Sequence, residues 1–457
     1  MPKAKSKKKK FIDPKNEPTQ TFAVIHRSEK EPLAADSNAP QRILQPLESN
    51  INDILKKTCK SGDVNEQMDS LAKYLVLKNE EIHQRHEVAH LIETSLKEYF
   101  PECVSHLFGS SVNGVGFKES DVDIYLDLQK EPSLLKKSGR KIGEKIVSIL
   151  KKIPEITNVE GILGARIPIV RFVHVESNLK CDLSFHNMMS VMNSKFLKMC
   201  QQADPRINTL MIVIKFWAEF QKLSGSSSGR DRYKKMSNYA LCILVIFFLQ
   251  NEKILPSVQE LYYNTVSEDS CIINGFECGF PRDLSLWKIP LDSFPNEKSV
   301  SELLHSFFEF YANFDYEGCI ISPYEGVAMV KEPEGGIKIP IKDMKDGILK
   351  DSRGTMVVQD PFELDFCVTK EYNTQKWRNH CKYFLRITSE LSDKNCSKTD
   401  KLAEIFEKMP KKLRKNSHTN LNLKDANYKK ESKITIDFSK MDLNKGIFSR
   451  NPYQYER

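Results

Sequence analysis

Apolar residues recur at helical spacing in the two outer parts of the chain and at strand spacing between them. Over residues 51–99 they return every three or four positions, which predicts two helices divided near residues 60–63. The same spacing dominates over 188–261 and returns over 300–315 and 375–391. We therefore expect a mainly helical body built from segments that flank a different kind of domain.

The segment between these helices contains short apolar runs bounded by turn residues. Runs over 106–109, 122–128, 167–175 and 180–185 predict strands, and residues 141–151 predict a crossover helix. Strands, a crossover helix and a glycine-rich turn in one short segment are typical of a small mixed α/β domain. The predicted fold class is α+β, with a small mixed β-sheet domain packed on a larger, mainly helical one.

The composition is that of a folded soluble protein. Of 457 residues, 40% are hydrophobic and 28% are charged, which excludes collagen-like, fully disordered and membrane-spanning classes. The longest apolar run, residues 239–249, is about half of a bilayer-spanning helix. We interpret it as a buried core helix and expect no membrane partner.

Charge is concentrated at the two ends of the chain. The net charge is +8 overall, but residues 1–20 carry +5 and residues 398–457 carry +7, so the part between them is slightly acidic. Basic ends favour a polyanionic partner such as nucleic acid, although they also occur as solubilising tails. We expect residues 1–48 and 392–457 to be basic and largely disordered, with one helix over 398–408.

The sequence also bears on the cellular compartment. A lysine cluster over residues 2–10 is typical of nuclear localisation signals. Eleven cysteines without a C-x-x-C pair indicate free thiols in a reducing compartment. These features favour the nucleus or the cytoplasm.

Residues 108–127 contain the motif that most clearly indicates a functional site. Their sequence is F-G-S-S-V-N-G-V-G-F-K-E-S-D-V-D-I-Y-L-D. Asp121 and Asp123 are two residues apart at the start of a strand, so both carboxylates point to one face and can share divalent cations. The preceding Gly-Ser turn offers backbone N–H groups and a hydroxyl to a phosphate chain. Asp182, on a later strand, is the natural third carboxylate of a two-metal phosphoryl-transfer site. Asp127 is expected to cap a turn.

Two other interpretations of this string stay open at this point. It could be a solvated surface strand, or it could be a calcium site without catalysis. The combination of a Gly-Ser turn, Asp-x-Asp in an apolar strand and a later strand aspartate favours the catalytic interpretation.

Several motifs closely resemble those of the DNA polymerase β-like nucleotidyltransferase superfamily. They are F-G-S-S-V-N at 108–113, A-R-I-P-I-V-R-F at 165–172, V-I-F-F-L-Q at 245–250 and D-P-F-E at 360–363. Within the superfamily, the match is to template-independent RNA 3′-end nucleotidyltransferases, namely poly(A) polymerases and terminal uridylyltransferases with a PAP-associated region. The resemblance extends over roughly residues 65–385 and implies a nucleotidyltransferase domain packed on a helical central domain.

The resemblance implies a domain organisation. Helices in 49–100 would pack on the central domain, residues 101–188 would form the catalytic domain, and 189–391 would form the helical central and PAP-associated domain. Family similarity also allows a mitochondrial location, as an alternative to nucleus or cytoplasm.

The resemblance also implies a role for each site residue. Asp121 and Asp123 would bind two Mg²⁺ ions, for which Mn²⁺ could substitute, and Asp182 would help bind metal and deprotonate the RNA 3′-hydroxyl. The remaining candidates form the nucleotide site, with Gly109 and Ser110 at the triphosphate, Asn193 and Ser194 at the ribose, Lys215 at the triphosphate and Tyr239 stacked on the base.

Two of these residues have a simpler interpretation beside the functional one. Lys215 could be a solvated helix residue, although a cation among apolar neighbours suits phosphate binding. Tyr239 opens an apolar helix and could belong to the core.

The chain departs from the family pattern at two positions. Glu219 stands where relatives often carry a second basic residue one turn after the lysine, so triphosphate binding would depend on Lys215 and Ser110, with slower turnover. Phe366 stands where uridylyltransferases commonly carry a histidine that favours UTP. Its absence favours ATP.

The predicted activity is Mg²⁺-dependent addition of AMP from ATP to RNA 3′ ends, with release of pyrophosphate. The partners would be a nucleoside triphosphate and an RNA 3′ end, with Arg166, Arg171, Lys195 and Arg206 as candidates to line an RNA groove. One alternative is a uridylyltransferase that uses UTP. Another is an inactive homologue that serves as an RNA-binding scaffold.

Overall fold

The structure is a computed structural model that describes residues 47–407, apart from 61, 130–131, 166, 187, 226–234, 288–295, 332–336, 339–347, 350–355, 371 and 392–400. Its helices are α1 (Leu47–Thr58), α2 (Val64–Leu75), α3 (Asn79–Lys97), α4 (Pro132–Leu150), α5 (Met189–Ala203), α6 (Pro205–Phe220), α7 (Asn238–Asn251), α8 (Val258–Tyr263), α9 (Val300–Asn313), α10 (Thr374–Leu391) and α11 (Lys401–Ile405). The strands are β1 (Val104–Phe108), β2 (Val122–Asp127), β3 (Ile156–Ile162), β4 (Ile169–His174), β5 (Lys180–Ser184), β6 (Ile272–Ile273), β7 (Phe276–Glu277), β8 (Cys319–Ser322), β9 (Val327–Val330), β10 (Ile337–Lys338) and β11 (Ile348–Leu349).

A five-stranded mixed sheet in the order β1-β2-β5-β4-β3 is the centre of the first domain. Strands β2 and β5 are parallel, whereas the other neighbouring pairs are antiparallel. Alternate residues of these strands, such as Val122, Ile124, Leu183 and Phe172, are fully buried in one apolar core. Helices α3 and α4 contact the same sheet and contribute to this core.

The second domain is mainly helical, and α6 and α7 form its centre. Almost every residue of both helices is buried, as expected for helices that are apolar on all sides. Helix α9 packs on α10, and their aromatic rings surround Trp217 of α6. No helix in the described part of the chain is long and apolar enough to cross a membrane.

The fold class predicted from the sequence is confirmed, but α3 is placed differently from the expectation. Val88, Ile92 and Leu96 of α3 lie in the core of the sheet, whereas α1 and α2 join the helical core. The prediction that all of residues 49–100 pack on the central domain is therefore wrong for α3. The apolar spacing shows that a helix has a buried face but not which core buries it.

Two other expectations also need correction. Strand β3 was absent from the prediction because most of its residues are polar and exposed at the sheet edge. Helix α11 confirms the helix expected over 398–408, but its Leu402 and Ile405 are fully buried in the helical core. That part of the 392–457 extension is therefore folded. Residues 1–46 and 408–457 lie outside the described residues.

Replacement of Trp217 by alanine should destabilise the protein by about 3–5 kcal/mol, because it would leave a large cavity in a packed aromatic cluster. The Trp217 side chain is fully buried, and its ring centroid lies 4.8 Å from Phe308 and 5.2 Å from Phe384. Urea unfolding measures the effect. The control Tyr263→Ala removes a ring that is 63% exposed and should change stability by no more than about 0.5 kcal/mol. Equal losses in the two variants would contradict this packing.

Candidate active site

Strand register brings the predicted aspartates together at one end of the sheet. Asp123 of β2 is directly paired with Asp182 of β5 across the parallel ladder, and Asp121 immediately precedes β2. Directly paired residues point to the same face, so two carboxylates from distant parts of the sequence become neighbours. Asp127, at the other end of β2, accepts hydrogen bonds from Gln129 and caps a turn, as predicted.

The row of paired side chains that contains Asp123 and Asp182 continues on the next strand with an arginine. Arg171 of β4 is paired with Asp182, and its Nε and Nη2 atoms donate to the two carboxylate oxygens of Asp182 at 2.8 Å each. This two-point ion pair fixes the plane of the Asp182 carboxylate. Arg171 was expected to line an RNA groove, and the structure gives its side chain a position in the carboxylate cluster itself.

The Gly-Ser turn packs directly against Asp123. Gly109 has φ +62°, and a Cβ atom at this position would lie 2.2 Å from Oδ2 of Asp123. Both the left-handed backbone and the close approach therefore require glycine. The Gly109 N–H donates to the hydroxyl of Ser194 at 2.7 Å, and this hydroxyl donates to the Ser190 carbonyl at 2.7 Å. Ser194 was predicted at the ribose, and it also anchors the turn to α5.

Mutual repulsion and burial shift the pKa values of the carboxyl groups. Burial, followed by the charges of Asp182 and Asp121, raises the pKa of Asp123 to about 7 from the usual 3.8. Burial and the charge of Asp182 also raise the pKa of Asp121. A carboxylate cluster of this kind has a strong electrostatic preference for a cation.

These residues fit a divalent cation that shares its ligands with a substrate. Hard carboxylate oxygens suit Mg²⁺, which is usually held by one or two carboxylates together with substrate phosphates. Within the described ranges, no three His, Cys, Asp or Glu side chains are arranged to hold a metal by themselves. Asp121 and Asp123 would therefore be the main protein ligands, and Asp182 would share its carboxylate with Arg171.

Arg85 is a site residue that sequence reasoning missed. It lies on α3, is 1% exposed, and donates to the backbone carbonyls of Ser120 and Asp121 at 2.7 and 3.0 Å. The sequence does contain an indication of its burial. Arg85 is three, four and seven residues before Val88, Ala89 and Ile92, which are also buried. Helical spacing thus places a charged residue on an apolar face, where a cation needs a specific role.

The turn after the Gly-Ser motif is held by the helical domain. Four consecutive carbonyls, those of residues 113–116, accept hydrogen bonds from the side chains of Gln201, Asn208 and Lys215 and from the Leu77 N–H, in that order. The turn is consequently a rigid connection between the two domains.

Lys215 is buried, so the interpretation as a solvated helix residue is wrong. It is 2% exposed, its Nζ donates to the Val115 carbonyl at 2.8 Å, and it lies 3.9 Å from the centroid of the Phe117 ring. Burial lowers the pKa of its ammonium group. Glu219, one turn later, accepts from the side-chain amide of Asn238 at 2.9 Å.

Tyr239 faces the site and is held by the D-P-F-E segment. Its hydroxyl donates to Asp360 at 2.9 Å, and the other oxygen of Asp360 accepts from the backbone N–H groups of Phe362 and Glu363. Burial raises the pKa of Asp360 to about 6. Sequence reasoning used this segment for the family resemblance but assigned no role to Asp360, which orients the ring.

All of the predicted site residues line one cavity of about 750 Å³. They are Gly109, Ser110, Asp121, Asp123, Asp182, Asn193, Ser194, Lys215 and Tyr239. The same cavity is bordered by Glu219, Lys180 and Lys235. Nothing among the described residues forms a hydrogen bond with the buried Oδ1 atom of Asn193.

The other basic residues proposed for an RNA groove have different positions. Arg206 forms an ion pair with Asp204 and donates to the carbonyls of Asn296 and Lys298, so it is a structural residue of the helical domain. Lys195 is exposed on α5. Arg166 lies outside the described residues.

Two family models match parts of the chain, and the first contains most of the residues that line this cavity. The model for "Poly(A) RNA polymerase, mitochondrial-like, central palm domain" matches residues 64–202, and the model for "Cid1 family poly A polymerase" matches residues 299–366. A third model, "Low temperature viability protein", matches residues 15–90 and overlaps the first from residue 64. Residues 64–202 are thus similar to the palm domain of mitochondrial-like poly(A) polymerases, and residues 299–366 are similar to a segment of the Cid1 family of poly(A) polymerases.

Curated relatives and solved structures agree with this class. The chain is 32% identical over 361 residues to a speckle targeted PIP5K1A-regulated poly(A) polymerase of Danio rerio, a match that covers 70% of this chain and 44% of the relative. It is 33% identical over 291 residues to the mitochondrial poly(A) RNA polymerase of Homo sapiens, which covers 59% of this chain and 49% of the relative. The matches thus span about half of each relative's length.

Among solved structures, mtPAP in complex with ATPγS superposes with a TM-score of 0.66 at 26% identity, covering 79% of this chain and 75% of that one. The resemblance to template-independent RNA nucleotidyltransferases is confirmed.

Gly109→Ala should lower stability by about 1–2 kcal/mol, because an L residue with this φ is strained. The added methyl group would also displace the Asp123 carboxylate, so we expect nucleotide transfer to fall by about 100-fold or more. Gly164→Ala is the matched control, since a Cβ atom there meets no other atom within 4 Å. Urea unfolding and RNA extension measure the two effects. A Gly109→Ala variant with normal transfer would contradict the contact.

Asp123→Asn should stabilise the metal-free protein more at about pH 8 than at about pH 4. The pKa of Asp123 is about 7 when folded and near 3.8 when unfolded, so the folded protein binds this proton more tightly. The contribution of the protonated group to stability is full below about pH 4 and is lost as the pH rises through 7. Asparagine carries no charge and avoids this loss.

Thermal unfolding across this pH range, in the presence of EDTA, measures the difference between Asp123→Asn and the wild-type protein. Asp127→Asn, at the other end of β2, controls for removal of a strand carboxylate. A gain of equal size at both pH values in Asp123→Asn would contradict the raised pKa of Asp123.

Proposed function

We propose that the protein adds AMP residues from ATP to RNA 3′ ends in a Mg²⁺-dependent, template-independent reaction. The pairing of Asp123 with Asp182 in register, beside the Gly109 turn and inside a nucleotide-sized cavity, is the observation that carries this proposal. The curated relatives are named poly(A) polymerases, and mtPAP has been solved with ATPγS. Because the matches cover about half of the curated relatives, the activity of the whole protein is part of the proposal.

In this reaction the 3′-oxygen of RNA forms a bond with the α-phosphorus, and the bond between that phosphorus and the pyrophosphate oxygen breaks. Asp182, oriented by Arg171, accepts the hydroxyl proton. Asp121 and Asp123 would hold Mg²⁺, or Mn²⁺ in its place, which neutralises charge on the phosphates.

The remaining residues bind the nucleotide. Ser110 and the Gly109 turn contact the triphosphate, and Lys215 offers its positive charge from the helical side. Asn193 uses its unpaired Oδ1 to accept from a ribose hydroxyl, together with Ser194. Tyr239 stacks on the base in the orientation set by Asp360. Glu219 adds no positive charge at this cavity, and Lys180 and Lys235 supply it instead.

We expect ATP to be preferred to UTP. Phe366 is located in a turn closed on Asp360, with its carbonyl accepting from the Asp360 N–H at 2.9 Å, and it offers no side-chain hydrogen bond for uracil. The preference should be moderate, because mtPAP has also been solved with UTP, GTP and CTP. A uridylyltransferase is therefore one possible outcome of the test.

The basic ends of the chain would supply a sequence-independent, salt-sensitive attraction for RNA. The lysine cluster at residues 2–10 favours the nucleus or cytoplasm. The relatives are named for speckles or for mitochondria, so a mitochondrial location is the alternative to test. Imaging of the full chain with and without residues 2–10 distinguishes them.

The activity is tested by extension of a labelled oligo(A) RNA with Mg²⁺ and each nucleoside triphosphate separately. We expect an ATP ladder that disappears in the Asp121→Ala/Asp123→Ala variant, because the metal ligands are removed. Loss should be at least about 1,000-fold, as expected when transition-state charge loses its main stabilisation. The Asp127→Asn variant controls for a general effect of removing a strand carboxylate.

Each outcome has a definite meaning. A ladder with UTP but not with ATP would establish the uridylyltransferase and overturn the role given to Phe366. No extension of several RNAs by folded protein would support the inactive RNA-binding scaffold. An ATP ladder that persists in the double aspartate variant would place the chemistry elsewhere.

A further inference from the structure

Arg85 is a fully buried cation beneath the candidate active site. Its side chain is 1% exposed on α3, whose neighbouring Val88, Ala89 and Ile92 lie in the sheet core. Removal of a guanidinium from water carries a large desolvation penalty. The contacts of Arg85 must offset this penalty.

These contacts are not those of an ion pair. Among the residues that the structure describes, no carboxylate lies within ion-pair distance of Arg85, and its Nε has no hydrogen-bond partner. The side chain donates from Nη1 to the Ser111 hydroxyl at 3.3 Å and the Asp121 carbonyl at 3.0 Å, and from Nη2 to the Ser120 carbonyl at 2.7 Å and the Lys118 carbonyl at 3.4 Å. An apolar side chain at such a site is often no less stable, so stability alone does not account for an arginine.

The two amino groups of Arg85 join the two segments that form the catalytic end of the sheet. One segment is the Gly-Ser turn, and the other is the loop of residues 118–121, which ends in Asp121. The Ser110 hydroxyl donates to the same Asp121 carbonyl at 3.2 Å. One turn earlier on α3, Glu81 binds Lys118 Nζ at 3.0 Å, so α3 holds both ends of the loop.

The strand ladder alone does not fix the position of Asp121, because this residue lies before the first residue of β2. The hydrogen bonds from Arg85 to the carbonyls of Ser120 and Asp121 supply this restraint.

We propose that Arg85 is a positioning residue that fixes the 118–121 loop, so that Asp121 and Asp123 bind one divalent cation together. The proposal rests on the metal-dependent reaction proposed above. Arg85 contacts neither nucleotide nor RNA in this role. It acts through the backbone of Ser120 and Asp121.

The test is Arg85→Lys, which keeps the positive charge but replaces the planar group by a single ammonium that cannot bridge both segments. Metal binding is measured with Mn²⁺ alone by electron paramagnetic resonance, and we expect affinity to fall by about 10-fold or more. RNA extension with ATP should show a fall in kcat of about 10- to 100-fold, restored in part by raised Mg²⁺.

Arg378→Lys is the matched control, since Arg378 is a largely buried arginine of the helical domain that pairs with Glu317. It should leave the Mn²⁺ affinity unchanged even if it lowers the unfolding temperature. Ser111→Ala is the second test variant, because it removes one acceptor of Arg85 and keeps the charge. It should reduce Mn²⁺ affinity by a smaller factor.

A folded Arg85→Lys variant with wild-type Mn²⁺ affinity and kcat would overturn the proposal, and so would one that loses only thermal stability. If Arg85→Lys does not fold, the Mn²⁺ affinity of Ser111→Ala decides between the same outcomes. If the wild-type protein extends no RNA, the proposed function fails, but the Mn²⁺ measurements still test Arg85.

Discussion

Repulsion between carboxylates at the end of two parallel strands is the constraint on which the rest of the site depends. Pairing in register places Asp123 beside Asp182, with Asp121 one position before the strand. Folding therefore concentrates negative charge where an apolar core lies directly below. Two cations partly offset this negative charge. They are Arg171 on the neighbouring strand and Arg85 on the helix beneath. Burial and the neighbouring carboxylates nevertheless raise the pKa of Asp123, so a divalent metal ion would stabilise its charged form.

The two domains are joined through the backbone of the turn rather than through apolar packing alone. Four consecutive carbonyls of residues 113–116 accept from groups of the helical part of the chain, and Lys215 is one of the donors. The same residue borders the cavity, so one ammonium group both links the domains and contributes charge to the proposed nucleotide site. The hydrogen bond to the Val115 carbonyl gives the ammonium group a partner at this almost completely buried position.

The cavity also differs from the expected family pattern in its charge. Glu219 stands one turn after Lys215, where the family resemblance leads us to expect a cation, and its carboxylate accepts a hydrogen bond from Asn238. Lys180 and Lys235 enter the same cavity from other segments, so positive charge is redistributed and not simply lost. A triphosphate would therefore meet its cations from the sheet and from the segment before α7, in addition to α6.

Local sequence patterns predicted most of the helices and strands and the candidate carboxylates. Apolar spacing predicted the main helices and four strands of the sheet, and the F-G-S-S turn with Asp-x-Asp identified Gly109, Ser110, Asp121 and Asp123. These are local patterns, in which spacing directly sets the face of a strand or helix. Resemblance to a known family added Asn193, Lys215 and Tyr239, which no local pattern would have joined to the aspartates.

Which side chains meet depends on contacts between distant parts of the chain. The ion pair of Arg171 with Asp182 depends on the register between β4 and β5, and the position of Arg85 depends on α3 packing on the sheet. Local patterns also did not predict the exposed polar strand β3. They predicted a helix at α11 but not its burial in the helical core. In each case the deciding interaction joins residues far apart in the sequence, and local spacing contains no information about which distant surface will cover a given face.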